Sequence, residues 1–172
     1  DADRLTALYL RTPEKKLVLE DPSGNESNML IDKVYKGGGS GLASTIEDYF
    51  KFSQMLLNGG ELNGKRILSR KTVELMTMNH LPNNNTLLDM NAGGGFSEVR
   101  YQGMGYGLSM AVTVDQAATQ ISGTAGSYNW GGMASTFFWI DPIENLLGIF
   151  MTQLRPSTTF PFRGQMQAMV YG

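Results

Sequence analysis

The residues with most chemical potential in this sequence form one run, Gly126-Ser127-Tyr128-Asn129-Trp130-Gly131-Gly132-Met133-Ala134-Ser135-Thr136-Phe137-Phe138-Trp139-Ile140-Asp141-Pro142. Two consecutive glycines at the start of a strand leave the backbone bare, because no Cβ holds a ligand away from its N–H and C=O groups. A substrate can lie against such a strand as an added edge. Read locally, the same Trp130-Gly131-Gly132 is equally a turn feeding a strand.

Other patterns fall short of their chemistry. Gly59-x-x-x-x-Gly64-Lys65 is one residue from a phosphate-binding loop, but Arg66 stands where a Ser or Thr should ligand magnesium, and the glycines follow a helix where that loop follows a strand. Gly38-Gly39-Ser40-Gly41-Leu42 nearly spells a nucleophile elbow, yet Leu42 replaces its last glycine and no strand precedes it. His80 is the only histidine, so every site needing two imidazoles is excluded. Its place just past a helix suits an interaction with that helix's C-terminal dipole. With no cysteine, disulfides, thiolate metal sites and a Cys nucleophile are excluded too. No metal or cofactor is expected. The eleven methionines read as core filler, and the sequons at Asn25 and Asn84 carry no weight without a secretory context.

Composition narrows the partners. Fourteen Lys and Arg against sixteen Asp and Glu give a net charge of −2, which offers no electrostatic footprint for nucleic acid or an anionic membrane. No apolar run approaches the roughly 18 residues needed to span a bilayer. The length, 172 residues, suits one core.

These residues need elements to position them. Residues 1–36 read as an extended arm, and residues 37–172 as the body of the domain. Ser44 with Glu47 forms a capping box for a helix whose stripe is Ile46, Tyr49, Phe50, Leu56 and Leu57, stopped by Asn58-Gly59-Gly60. A turn-rich connection leads to a second helix capped by Ser69 and running to about Met78. Residues 81–103, with Gly93-Gly94-Gly95, are too polar and Gly-rich for regular structure and read as the lid or rim of a site. Strands follow at 106–114, 119–128, 134–140 and 146–153, the last two forming a hairpin around Asp141 to Asn145. Phe137 and Trp139 point to one face of that hairpin, Phe138 and Ile140 to the other, so both faces must be covered. Pro161 starts a last helix, in which Met166, Met169 and Val170 share a face. The fold class is α/β of the α+β type, an antiparallel sheet flanked by helices.

The run from Gly126 to Pro142 resembles the third motif and following hairpin of the serine β-lactamase and penicillin-binding-protein-like hydrolases. It is most similar to class C-like (family VIII) carboxylesterases, where Trp-Gly-Gly replaces Lys-Thr-Gly. Gly37 to Thr45 with Asp48-Tyr49, Met55 to Leu62, Leu68 to Met76, Met104 to Ser109 and Leu147 to Gln153 continue the likeness in order. The resemblance implies the C-terminal part of a β-lactamase/transpeptidase-like fold. It also implies acyl transfer on a small ester, β-lactam or similar substrate, with Trp130, Gly131 and Gly132 as the substrate-binding wall and the Met133 backbone N–H as an oxyanion donor.

The sequence departs from the family where the nucleophile belongs. No serine has a lysine three residues later, and no tyrosine begins a Tyr-x-Asn or Tyr-x-Ser motif; in the family both motifs lie upstream of the region matched. The chain is therefore expected to be the C-terminal portion of such a hydrolase, partnered by its N-terminal portion or by a self-paired copy. The alternative is a non-catalytic binding module that keeps the pocket wall.

Overall fold

The computed structural model describes residues 2–31, 39, 41–90 and 102–172. Ten strands and four α-helices follow in order: β1 (Leu8–Arg11), β2 (Leu17–Asp21), α1 (Ile46–Leu57), β3 (Glu61–Leu62), β4 (Lys65–Arg66), α2 (Arg70–Met76), β5 (Met104–Tyr106), β6 (Ala111–Thr113), α3 (Gln116–Thr119), β7 (Tyr128–Gly131), β8 (Phe137–Asp141), β9 (Leu146–Phe150), β10 (Leu154–Arg155) and α4 (Phe162–Tyr171). The main sheet is antiparallel in the order β5-β6-β7-β8-β9. The arm contributes the β1–β2 pair, and β10 joins β1 in parallel. An ion pair from Arg155 to Glu20 adds to that joint. None of the described helices is long and apolar enough to cross a membrane.

The alternation expected of the β8–β9 hairpin holds. Phe138 and Ile140 join Met55 and Leu56 of α1, Val73 of α2, Met110, Val112 and Tyr128 in the main core, while Phe137 and Trp139 stack on the other face. All four strand residues are buried, as a sheet covered on both sides requires. Tyr49 and Phe52 of α1 set their rings edge-on against Phe138, which fixes the helix across the sheet.

Four expectations are corrected. The α1 cap is Thr45, whose hydroxyl accepts from the Asp48 N–H at 3.2 Å, one residue beyond Ser44. The segment 106–114 is a hairpin and not one strand: Gly107 N–H bonds Met110 C=O, Ser109 takes φ 81°, and Leu108 N–H bonds Met76 at the end of α2. The start of 119–128 is not strand either, because the Asp115 carboxylate accepts from Ala118 N–H and caps the single turn α3, which Gln120 ends at φ 55°. On α4, Phe162, Arg163, Met166 and Gln167 turn inward while Met169 and Val170 are exposed.

Ser69 caps α2 as expected, accepting from Thr72 N–H. The connection between α1 and α2 is a two-residue hairpin. The Gly93-Gly94-Gly95 stretch, and all but Gly39 and Gly41 of the run Gly37 to Gly41, lie outside the described residues.

Candidate active site

Register places the Trp130-Gly131-Gly132 stretch at the edge of a gap. β6 pairs with β7 only at Ala111–Asn129 and Val112–Tyr128, whereas β8 accompanies β7 through Trp130–Phe138 and Gly131–Phe137. Beyond Ala111 the chain leaves the sheet through the Gly107–Met110 turn. Among the described residues, no strand pairs with β7 on its β6 side beyond Asn129.

Backbone alternation says which groups face the gap. Ser127 C=O accepts from Thr113 N–H on the β6 side, and Gly132 N–H donates to Thr136 C=O on the β8 side, each at 2.8 Å. Successive residues of a strand bond to opposite neighbours. Odd-numbered residues here turn their N–H and C=O towards β6, so Gly131 presents both to the open edge. Among the described residues, nothing beyond its chain neighbours lies within 4 Å of the position a Cβ would take on Gly132. The turn then closes through Ser135 N–H to Gly132 C=O at 3.1 Å, which makes Met133 its second residue. Met133 is 54% exposed, and its N–H has no acceptor among the described residues.

Trp130 is half-buried against both hydrophobic clusters, and its indole meets Tyr106 edge to face with ring centroids 5.1 Å apart. Burial raises the Tyr106 hydroxyl above its usual range. Tyr106 is itself placed by Asn79, whose Oδ1 accepts from Tyr106 N–H at 3.0 Å and from Leu81 N–H at 3.2 Å. His80 has a structural post: its Nε2 lies 2.7 Å from Leu75 C=O in the last turn of α2, and its N–H bonds Tyr106 C=O. It tethers α2 to β5 and is spent on that contact.

Neither Asn79 nor Tyr106 stands out in the sequence, because their roles depend on a long-range meeting of the 77–81 connection with β5. Arg163 is likewise invisible to pattern reading. It lies under the opposite face of the sheet, in a cavity lined with Thr113, Ser127, Asn129, Trp139 and Gln167. There its guanidinium stands 5.6 Å over the Phe137 ring, and burial pulls its pKa down to about 10. No group of carboxylates or imidazoles among the described residues could hold a metal ion.

Comparison with known proteins bears on the family and the fold. Two curated Mycobacterium tuberculosis proteins, Protein Rv1367c of strain H37Rv and Uncharacterized protein MT1414 of strain CDC 1551 / Oshkosh, are each 30% identical over 159 residues, 91% of this chain and 38% of theirs. Among solved structures, EstCE1, a hydrolase with promiscuous acyltransferase activity, superposes with a TM-score of 0.74 at 20% identity over all of this chain and 45% of its own. Simvastatin synthase (LovD) from Aspergillus terreus superposes with a TM-score of 0.68 at 20% identity over 96% of this chain and 40% of its own. The chain thus spans less than half the length of each. The family model for Beta-lactamase matches residues 1–169, and the chain belongs to the Beta-lactamase family.

Proposed function

We propose that the protein carrying this chain performs acyl transfer through an acyl-enzyme on a small, uncharged ester, and that this chain supplies one wall of the site. The supporting observation is the edge of β7, where the backbone groups of Gly131 and Met133 have no partner among the described residues and lie beside a half-buried indole. A serine from the rest of the protein attacks the substrate carbonyl, whose oxygen gains negative charge as the tetrahedral intermediate forms. The Met133 N–H donates to that oxygen. Collapse expels the alcohol and leaves the acyl group on the serine, from which water or a second alcohol takes it. The activity named for EstCE1, hydrolysis with promiscuous acyl transfer, is of this kind.

Met133→Pro is the test, made in the full-length protein. Proline is favoured at the second position of such a turn and removes the N–H, and Met133→Ala controls for the lost side chain. It should lower kcat by about 10²- to 10³-fold, the usual cost of losing one oxyanion donor, while Met133→Ala keeps the donor and the rate. Wild-type turnover in the proline variant would refute the assignment. The competing reading, a non-catalytic binding module, draws on the lack of a Ser-x-x-Lys within the 172 residues. Intact mass after fluorophosphonate treatment of the full-length protein separates the two, since a binding module stays unlabelled.

A further inference from the structure

The chain contains two Asn-Gly pairs, Asn58-Gly59 and Asn63-Gly64. In such a pair the glycine nitrogen can attack the asparagine side-chain carbonyl carbon, because no Cβ crowds its approach. The carbon–nitrogen bond of the side-chain amide breaks, ammonia leaves carrying the proton from the attacking nitrogen, and a cyclic imide forms. Water then opens either imide bond to give aspartate or isoaspartate. Water is the only co-reactant and no oxidation state changes. The local chemistry of the two pairs is the same, so folding decides which one reacts.

The first pair is held shut. Asn58 caps the C-terminus of α1: its Oδ1 accepts from Gln54 Nε2 at 2.9 Å and its Nδ2 donates to Glu61 C=O at 3.2 Å. The Gly59 N–H, the required nucleophile, donates to Leu56 C=O at 2.9 Å. Reaction here means breaking these bonds and unwinding the end of a 12-residue helix.

The second pair is the two-residue tip of the β3–β4 hairpin, with Asn63 at φ 50° and Gly64 at φ 72°. Both residues are exposed, the Asn63 side chain makes no hydrogen bond among the described residues, and the space around Gly64 is open. The tip itself is closed by two strand pairs, Leu62–Lys65 and Glu61–Arg66, and the side-chain bonds of Arg66 lie behind them. A ladder so short opens at low cost, and opening lets the Gly64 nitrogen reach the side chain.

We propose that Asn63 is a modification site at which this protein acquires aspartate and isoaspartate, and that Asn58 is protected by its helix cap. The product sets a carboxylate beside Lys65 and Arg66. The isoaspartate form also lengthens the main chain of a turn built for two residues. The contact at risk is Arg66, which reaches Gly59 C=O, Leu68 C=O and the Glu61 carboxylate across the hairpin.

The test uses the full-length protein, kept folded at mildly alkaline pH and sampled over days, with a parallel sample in denaturant. Trypsin leaves both pairs in one peptide, Phe52 to Lys65, so fragment ions must locate the amide-to-acid change. Methyl transfer by an isoaspartate-specific carboxyl methyltransferase reads the second product independently. In the folded protein Asn63 should convert at least about tenfold faster than Asn58, and in denaturant the two should agree within about twofold. Asn63→Gln should remove methyl acceptance from the Phe52–Lys65 peptide of the folded protein. Equal rates in the folded state, faster conversion at Asn58, or an Asn63 that stays intact while the denatured sample converts would each overturn the proposal.

Discussion

Gly148 lies directly across the β8–β9 ladder from Trp139, and the indole ring fills the space that a Cβ on residue 148 would need. Trp139 is 2% exposed and stacked on Phe137, so it can yield only towards the Arg163 cavity that it lines, at the cost of that stacking. Gly148→Ala should therefore cost about 1–3 kcal/mol by overpacking, read as a lower denaturant midpoint with an unchanged slope. A midpoint equal to wild type would mean that the ring does not occupy that space.

Tyr128 gives a prediction in pH. It is 1% exposed, its hydroxyl has no hydrogen-bond partner among the described residues, and burial pushes its pKa far above the phenol range. Tyr171 is raised as well, first by burial and then by its bond to the Asp141 carboxylate at 2.8 Å. A folded pKa above the unfolded value means that the folded state holds its proton more tightly. Stability is whole below the unfolded value of about 10 and falls as pH rises past it, where the unfolded chain ionises first. Tyr128→Phe removes an unpaired buried hydroxyl, so it should leave neutral-pH stability unchanged or raise it by about 1 kcal/mol. It should also make the alkaline loss shallower. Tyr171→Phe should instead cost about 1–3 kcal/mol at neutral pH, because the buried Asp141 loses a donor. Denaturant melts across the alkaline range would show both effects, and parallel pH profiles for wild type and Tyr128→Phe would contradict the first.

The parts of this fold legible in the sequence were those with a local cause. Ser69 ahead of α2, the Asn58-Gly59-Gly60 stop, and the β8–β9 hairpin around Asp141 to Asn145 each announce themselves within a few residues. The segments that depart from their local pattern are those where a neighbour decides. Alternating apolar residues from Tyr106 to Val114 suggest one strand, but α2 draws Leu108 out of line through Met76. Gln116 to Thr119 lacks an apolar period, and its single turn exists because the Asp115 side chain caps it. The inward face of α4 departs from the Met166, Met169 and Val170 stripe because the long polar side chains of Arg163 and Gln167 line a cavity of mixed polar and apolar character. The Trp130-Gly131-Gly132 run could be found by its residues, but the gap beside it could not, since that depends on where β6 ends.

Trp130 allows a specificity prediction that rests on the proposed acyl-transfer site. A neutral indole suits an uncharged ester, whereas a lysine at the same position would engage an anionic carboxylate. In the full-length protein, Trp130→Lys should lower turnover of short esters relative to anionic β-lactams. Because Trp130 also packs on Tyr106, the ratio of the two kcat/KM values is the useful reading, since a general loss of folding cancels from it. An unmoved ratio would take Trp130 out of the pocket.

The last prediction concerns β9. Its five residues pair with β8 in unbroken register, and among the described residues no strand lies on its other side. Its side chains are partly covered, with Phe150 against Phe137 and Phe162 and with Leu147 and Ile149 packed on the main core, while its outer row of backbone groups pairs with no strand among the described residues. Leu146-Leu147-Gly148-Ile149-Phe150-Met151 contains neither charge nor proline, the features that normally discourage edge-to-edge pairing. An edge with fixed register and no such guard favours strand addition over slippage. The isolated 172-residue chain should therefore self-associate or aggregate, and the rest of the full-length protein should suppress this by covering the edge. Light scattering over a dilution series, combined with amide exchange across residues 146–153, measures both. A dilution-resistant monomer whose outward amides exchange freely would show that the edge is tolerated, and would favour a module that works without a complement.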